Sequence, residues 1–512
     1  MSKTANLLIL LFAGAATNLV YFVPWLWWLA YPALSYLFFR ADSKDYKGAM
    51  QAGVTFGLGM YLVGSHWLVS LVPVFHGLSV AFGIFVILFV CTILSMFVGV
   101  AVLVFRVSKN LNIIFRVTSV VLVWLGADYL RTELLDWPWL KLGYSQVDSP
   151  LISYAAIGGE SLLTLICISV AILLANAYRR YLKRPSRWVA SAMPVVVIMI
   201  ALLVLGDVLH RKEWTEAKAQ GMNIDLLQAN IPIGQKWDPF YRDSIFRRYL
   251  DLGDQGLSSY EKESDISMAI MPETALPVPL HTISDSYWSN LAAGKTFLVA
   301  GVTELVDPES ETLAVYNAAV VHCGDQTQVY RKRRLVPFGE RLPLENIFGG
   351  LYRLLNLDVT NYQAGKQMPS LHCNGVSIAI AICFEIMFAQ NHWKNDFDVL
   401  ININEEGWYY NTLAPRQRIQ YARMRAVEHA RPVISMSNNG PSAIIDHRGQ
   451  IVFVTSSNTA YKYESYVQAR SGSTPYQTHG AWVTLAILIV MSVLSILIFL
   501  VRNLPMDTEA NS

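Results

Sequence analysis

Apolar residues fill the first two hundred positions almost without interruption, return in one run near the end, and in between fall into short clusters separated by polar sequence. A membrane-crossing helix needs roughly 20 apolar residues. On that criterion seven spans are predicted near 5–21, 23–39, 50–70, 79–105, 112–130, 152–177 and 188–208, with an eighth from Ala481 to Val501. The first begins after Lys3 and carries a small-residue stretch, Ala13-Gly14-Ala15-Ala16, of the kind found at signal-peptide cleavage sites. Apolar sequence continues through Trp25, Trp27 and Trp28 into the second span, so an uncleaved span is expected. Between residues 222 and 470 the pattern changes. Short apolar runs such as Ile224–Leu227, Met268–Met271, Phe297–Val302, Ala318–Val321, Val376–Ile382, Val399–Ile403 and Val433–Met436 alternate with polar helical stretches. That alternation predicts one α/β domain with a sizeable core. The expected organisation is a membrane domain over 1–209, an α/β domain over 210–479, and a final span with a short polar tail over 480–512.

Composition agrees with this division. The chain has 512 residues, 53% hydrophobic and 15% charged, with mean hydropathy +0.35, too apolar for a single soluble globule. Its 40 basic and 38 acidic residues nearly cancel, which removes the basic field that nucleic-acid partners require. The local distribution of charge carries topology instead. Lys3 precedes span one; Arg40, Lys44 and Lys47 follow span two; Arg106, Lys109 and Arg116 follow span four; Arg179, Arg180, Lys183, Arg184 and Arg187 follow span six; Arg502 follows span eight. The alternate short connections, near 22 and over 71–78, hold none, and 131–151 holds only Arg131 and Lys141. Cytoplasmic loops are the basic ones, so both termini are expected inside and residues 210–479 outside, in the periplasm of a bacterium whose inner membrane holds the spans.

Two connections on the outer side are rich in aromatic residues: Trp137-Pro138-Trp139-Leu140-Lys141-Leu142-Gly143-Tyr144-Ser145-Gln146, and Trp67 with Phe75-His76-Gly77. They are expected at the membrane interface, either as an aromatic belt or as a route admitting lipid to the outer domain. Asp128 and Arg131, three residues apart near the end of span five, are placed to pair with each other.

Five cysteines are present. Cys91 and Cys167 lie in apolar spans, and Cys323 and Cys373 can form a disulfide if their region is extracytoplasmic, which the sequence leaves open. No CxxC, HExxH or Cys/His cluster has metal-ligand spacing, so neither a metal nor another cofactor is expected. Cys383 ends the apolar, β-branched run Ala379–Ile382 and is followed by Phe384 and Glu385. A thiol there is either a packed core group or a nucleophile delivered by a strand to a cleft. Two other apolar runs end in reactive side chains: Ile270-Met271-Pro272-Glu273-Thr274, and Tyr330-Arg331-Lys332 leading into Leu335-Val336-Pro337-Phe338-Gly339-Glu340. A thiol is only a few per cent ionised at neutral pH, so a nucleophilic cysteine needs a base or a nearby positive charge. Glu273 and Lys332 have the chemistry for those two tasks.

A glutamate, a lysine and a cysteine in this order, 59 and 51 residues apart, resemble the triad of the nitrilase superfamily. With seven spans before and one after, the chain resembles the membrane branch of that superfamily, the apolipoprotein N-acyltransferases, over essentially its full length. Further resemblance lies in Gln235-Lys236-Trp237-Asp238, Tyr316-Asn317, Leu335–Glu340, Ala422-Arg423-Met424-Arg425-Ala426 with Glu428, Arg431 and Pro432, Asn438-Asn439-Gly440, and Pro138-Trp139 with Gly143-Tyr144-Ser145-Gln146.

The resemblance implies a polytopic helical membrane domain of about eight helices and a periplasmic nitrilase-like αββα sandwich. It implies Glu273, Lys332 and Cys383 as catalytic residues, with Phe384, Glu340 and Glu385 supporting them. Trp237, Tyr316, Asn317, Trp139, Tyr144, Trp408, Asn438 and Asn439 are the implied substrate-binding candidates. It also implies a monomer that takes an acyl chain from a membrane phospholipid, phosphatidylethanolamine, and passes it through a thioester to the α-amine of a diacylglyceryl-modified cysteine on an apolipoprotein. The chain departs from the family pattern in three places. Phe384 stands where tyrosine is common; Asn404-Glu405-Glu406-Gly407-Trp408-Tyr409 stands where Asn-Asp-Ala-Trp-Phe is common, one residue longer; and Arg418 stands where histidine is common. The loop departure bears on donor preference and lid behaviour. Two other readings stay open: an amidase that uses water as acceptor, and a lipid- or lipoprotein-binding homologue without turnover.

Overall fold

The computed structural model describes residues 2–71, 77, 79–254, 266–292, 295–306, 314–324, 326–342, 345–354, 362–367, 371–389, 396–409 and 412–502. Phe75 and His76, and the polar tail beyond Arg502, lie outside them. The chain forms two compact units, one of residues 1–66, 85–211 and 479–512, the other of residues 67–84 and 212–478.

The first unit is helical. Six stretches among the described residues are long and apolar enough to cross a membrane: Lys3–Tyr21, Val80–Asn110, Ile113–Leu134, Ile152–Lys183, Pro185–Arg211 and Trp482–Phe499. The second and third sequence spans correspond to helices Ala30–Asp42 and Tyr46–Gly64, of 13 and 19 residues. Neither belongs to the six. Ala30–Asp42 is shortened because Pro24 opens a 3-10 turn, Pro24–Leu29, over the first half of the apolar run. Close packing here depends on small residues. A Cβ on Gly14 would sit 1.9 Å from the Phe56 carbonyl oxygen, and one on Gly59 equally close to that of Leu11.

Charges inside this unit are paired. Arg116 and Arg179 both contact Asp42, and Arg131 contacts Asp128 at 2.8 Å, the pairing expected from their spacing. The aromatic segment 137–146 packs largely inside this unit. Trp139 and Tyr144 are buried, Trp139 packs on Trp137 at 5.2 Å, and its carbonyl accepts from Arg131. The Gly143 N–H donates to Thr164 and Tyr31 donates to Gln146. These polar contacts tie the segment to the helices.

The second unit is built from thirteen described strands: β1 (Thr215–Gln228), β2 (Ile266–Ile270), β3 (Leu276–Pro279), β4 (Phe297–Val306), β5 (Ala314–Cys323), β6 (Gln326–Arg331), β7 (Leu371–Cys373), β8 (Val376–Ile382), β9 (Val399–Asn404), β10 (Val433–Ser437), β11 (Ala443–Ile445), β12 (Ile451–Val454) and β13 (Tyr461–Gly472). One sheet runs β13-β1-β2-β4-β5-β6 with β3 against β4; the other runs β12-β11-β10-β9-β8-β7. The apolar runs identified in the sequence lie in β1, β2, β4, β5, β8, β9 and β10, Met271 falling one residue beyond β2. Parallel pairs β1/β2, β2/β4, β8/β9 and β9/β10 occupy the two sheet centres, and both faces of such strands are covered, which explains continuous apolar runs without alternation.

The sheets face each other, β1 against β10 and β5 against β8. Helices Arg242–Asp254 and Asp285–Leu291 cover the first sheet through Ile245, Tyr249, Leu252, Trp288 and Leu291. Helix Ala414–His429 covers the second beside β10 and β11. This is the expected αββα sandwich. A disulfide joins Cys323 at the end of β5 to Cys373 at the end of β7, and so ties one sheet to the other.

Candidate active site

Glu273 and Lys332 follow β2 and β6, which are separated in the sheet by β4 and β5. Two residues on the intervening strands let their side chains meet. On β4 stands Gly301, where a Cβ would lie 2.4 Å from both the Pro272 oxygen and the Thr274 nitrogen, so only glycine admits the Glu273 turn. On β5, Asn317 donates from Nδ2 to Glu273 Oε1 at 2.7 Å and to Glu340 Oε1 at 2.8 Å. Lys332 Nζ reaches the same two oxygens at 3.1 and 2.9 Å. The second Glu273 oxygen accepts the Glu405 N–H at 2.9 Å, and the second Glu340 oxygen accepts the Val336 N–H at 2.8 Å. Glu273 and Lys332 are nearly inaccessible to solvent.

Cys383 is the first residue beyond β8, at the start of the 3-10 turn Cys383–Met387. Its φ is +53°, an unfavourable region for a residue with a Cβ. Thr274, next to Glu273, and Phe338, in the turn carrying Glu340, also have positive φ, at +45° and +63°. Backbone strain thus occurs at each of the three segments that supply reactive groups. Glu385 stabilises two of them. Fully buried, it accepts from the Ile382 N–H at 2.8 Å, the Arg333 and Arg334 N–H groups at 2.7 and 3.1 Å, and the Tyr330 hydroxyl at 3.0 Å. One carboxylate therefore clamps the chain beside the cysteine to the chain beside the lysine.

The electrostatics bind these groups into one unit. Burial pushes the Cys383 thiol well above its ordinary value; Glu273 adds to this, Lys332 opposes it, and Glu340 and Glu406 add further. Burial works to lower the Lys332 ammonium, but Glu273, Glu340 and Cys383 outweigh it and hold the group well above the usual lysine range. Glu385 is raised by burial, with the Ile382 and Arg333 N–H groups, Lys332 and the Arg334 N–H pulling the other way. A buried thiol whose ionisation responds to both Glu273 and Lys332 is equipped for proton transfer followed by nucleophilic attack.

The remaining candidates separate. Asn317 lies inside the site. Tyr316, its neighbour on β5, faces the opposite way, since successive strand residues alternate; Arg331 covers its ring at 4.7 Å and its hydroxyl donates to Gln363. Asn438 and Asn439 hold backbone: Asn438 bonds both polar groups of Ile231 and donates to Glu405, and Asn439 donates to Asn230 and Ile231. Trp237 is exposed at the end of the short helix Ile233–Lys236. Trp408 is half-buried in the 3-10 turn Gly407–Tyr409. Phe384 is buried against Phe388 at 4.9 Å. Trp139 and Tyr144 belong to the helical unit. Trp67 is counted in the second unit, where its Nε1–H donates to Gln417 and its ring meets Tyr409 edge-on at 5.5 Å.

Three further residues, to which the sequence assigns no place in the site, take part in it. Lys236, beside the chosen Trp237, donates to the Glu273 carbonyl and pairs with Glu405. Asn402 donates to the Ala381 and Cys383 carbonyls. Arg418 grips Glu406 with Nε to Oε1 at 2.6 Å and Nη2 to Oε2 at 2.9 Å, so two departures from the family pattern are partners. The usable signal was an extra buried-type acid and an extra base arriving in the same chain.

Known proteins match along this frame. The family model for the apolipoprotein N-acyltransferase N-terminal domain matches residues 13–173, and that for carbon-nitrogen hydrolases matches residues 262–464. The apolipoprotein N-acyltransferase of Vibrio vulnificus is 30% identical over 492 residues, 92% of each chain. That of Vibrio cholerae is 30% identical over 496 residues, covering 93% of this chain and 94% of the other. Among solved structures, Saccharomyces cerevisiae Nit3, a member of branch 10 of the nitrilase superfamily, is similar at 16% identity and a TM-score of 0.37, over 49% of this chain and 93% of that one. Matched in order through its helical and hydrolase segments, and aligned with such relatives along nearly its whole length, the chain belongs to the apolipoprotein N-acyltransferase family.

Proposed function

We propose that the protein transfers an acyl chain from a membrane phospholipid, phosphatidylethanolamine, to the α-amine of a diacylglyceryl-cysteine at the N-terminus of apolipoproteins, by way of a thioester on Cys383. The observation that carries this reading is the convergence of Glu273, Lys332 and Cys383 from three strand ends into one electrostatically coupled, buried group.

In the first half-reaction the Glu273 carboxylate takes the thiol proton and the sulfur attacks the ester carbonyl. Negative charge develops on that oxygen, where Lys332 and a backbone N–H near Phe384 stabilise it; one such donor is typically worth about 3 to 4 kcal/mol. The ester C–O bond breaks, Glu273 returns the proton to the leaving alkoxide, and a lysophospholipid departs. In the second half-reaction the acceptor amine attacks the thioester carbonyl, Glu273 takes the amine's proton, the C–S bond breaks, and the proton returns to the thiolate. Ping-pong kinetics follow.

Eight spans, with the domain boundaries 1–209, 210–479 and 480–512, put both termini in the cytoplasm of a bacterial inner membrane and the α/β domain in the periplasm. The alternation of basic connections supports this. The Cys323–Cys373 disulfide supports it too, because disulfides persist in oxidising compartments. Both substrates are lipid-anchored, which suits a monomeric catalyst joined to membrane helices.

The test is to incubate the purified full chain in detergent with phosphatidylethanolamine and weigh the Cys383 peptide. An added acyl mass that hydroxylamine removes is expected, with none in Cys383→Ala. A diacylated lipopeptide should then be acylated. Release of free fatty acid with no lipopeptide product identifies a hydrolase instead, and no adduct on folded protein overturns the reading.

A further inference from the structure

Helix Ala414–His429 is polar in sequence yet buried around nearly its whole circumference. A buried polar side chain must find partners, and Arg418 finds more than any ordinary surface pair requires. Besides its two bonds to Glu406, it donates from Nη2 to the Pro441 carbonyl at 3.0 Å, from Nη1 to Asn402 Oδ1 at 3.3 Å, and from Nη1 to Ser435. It therefore joins β9, β10, the turn after β10 and the loop after β9.

Two routes lead from this guanidinium to reacting groups. Asn402 Oδ1 is held by Arg418, which turns the amide so that Nδ2 donates to the Cys383 carbonyl at 3.1 Å and the Ala381 carbonyl at 3.2 Å. These bonds hold the strained turn at the cysteine from both sides. Glu406, clamped by Arg418 and by the Ser437 hydroxyl at 2.9 Å, fixes the loop whose preceding residue, Glu405, donates its N–H to Glu273 Oε2. We propose that Arg418 is a positioning residue for both reacting groups, acting on Cys383 through Asn402 and on Glu273 through Glu406.

The pair also has an electrostatic side. The charge of Glu406 acts on the thiol in the same direction as those of Glu273 and Glu340, against Lys332, and of these acids it is the one that Arg418 pairs. Removing the arginine alone leaves that negative charge uncompensated and disfavours the thiolate; removing the glutamate alone does the reverse.

This inference rests on the reading of Cys383 as nucleophile and Glu273 as base. Its main test uses iodoacetamide on the full chain in detergent, with the rate of modification of the Cys383 peptide followed by mass spectrometry at pH 7.5 and 8.5, below the raised thiol midpoint, where the rate reports the thiolate fraction. Alkylation needs no lipid, so a failure of acyl transfer leaves this measurement intact. Arg418→Gln should slow alkylation at pH 7.5 about tenfold, the change that one pH unit produces. Glu406→Gln should speed it by a similar factor, and the double variant should return close to the parent. Arg418→Lys keeps the charge but cannot reproduce the planar fork, so it should keep the alkylation rate and the KM for lipid donor while kcat falls about tenfold. Equal alkylation rates in all variants, or Arg418→Lys with the parental kcat, would overturn the proposal. If Arg418→Gln does not fold, Glu406→Gln and the double variant decide by their rates against the parent.

Discussion

Asn317 donates to Glu273 at 2.7 Å from the same nitrogen that holds Glu340 at 2.8 Å, so a neutral amide separates two carboxylates that share one lysine. Replacing it with the isosteric Asp converts a donor into a third anion around Lys332. The added charge disfavours the Cys383 thiolate, because like charge opposes ionisation. Asn317→Asp is expected to lose about 10²-fold in the rate of Cys383 acylation at pH 7.5, on the order of one lost proton-transfer contribution, and its rate profile should move to higher pH. Single-turnover acylation at several pH values checks both.

Glu385 satisfies four donors drawn from two strand ends. Glu385→Ala leaves three backbone N–H groups and a phenol buried without an acceptor, a loss on the order of 3 to 5 kcal/mol for a buried charged hub. Thermal unfolding should fall by several degrees in that variant. Glu385→Gln should fall less, since it keeps one acceptor oxygen while turning an amide N–H toward donors. Equal melting of Glu385→Ala and the parent would contradict the clamp.

His429 is packed against Phe397 and Tyr476. Burial first, then Arg425 and Arg431, push its imidazole down to about 3. A depressed folded value means that the unfolded chain binds the extra proton between about 3 and the ordinary 6.5. Stability is therefore full above pH 6.5 and falls as pH drops toward 3, by up to about 1.4 kcal/mol per unit. His429→Phe should flatten that part of the curve relative to the parent, as measured by denaturant unfolding at pH 7.5, 6, 5 and 4. An unchanged difference between the two proteins across this range would reject it.

The Cys323–Cys373 bond closes a sequence separation of 50. Loop-closure entropy for that length is worth about 4 kcal/mol. The double Cys323→Ser, Cys373→Ser variant should unfold at clearly lower denaturant while keeping Cys383 alkylation, because neither cysteine touches the Glu273–Lys332 contact. If dithiothreitol leaves the parent's unfolding midpoint where it was, the bridge contributes no stability.

The strand framework and the three strand-end residues were legible because β-branched runs and reactive termini are local features. Relations across strands were not. Asn317 is a candidate from the sequence, yet its bridging of two acids depends on β5 lying between β2 and β6. Tyr316 is a candidate beside it, and alternation along the strand sends it to the other face. Trp139 and Tyr144 have the composition of an interfacial belt, and the hydrogen bonds of their segment to Arg131, Thr164 and Tyr31 have no local sign in the sequence. Arg418 and the Glu406 loop looked like separate departures, because a polar helix gives no local sign of which buried acid it will meet.

The +53° φ at Cys383 puts the proposed nucleophile where the chain gives up robustness. Glycine ordinarily weakens a position relative to alanine by about 0.5 to 1 kcal/mol, but it tolerates this backbone and alanine does not. Among inactive variants, Cys383→Gly should therefore unfold no earlier than Cys383→Ala. That inversion of the usual order would measure how far evolution has bent the backbone away from its own optimum to present one sulfur atom.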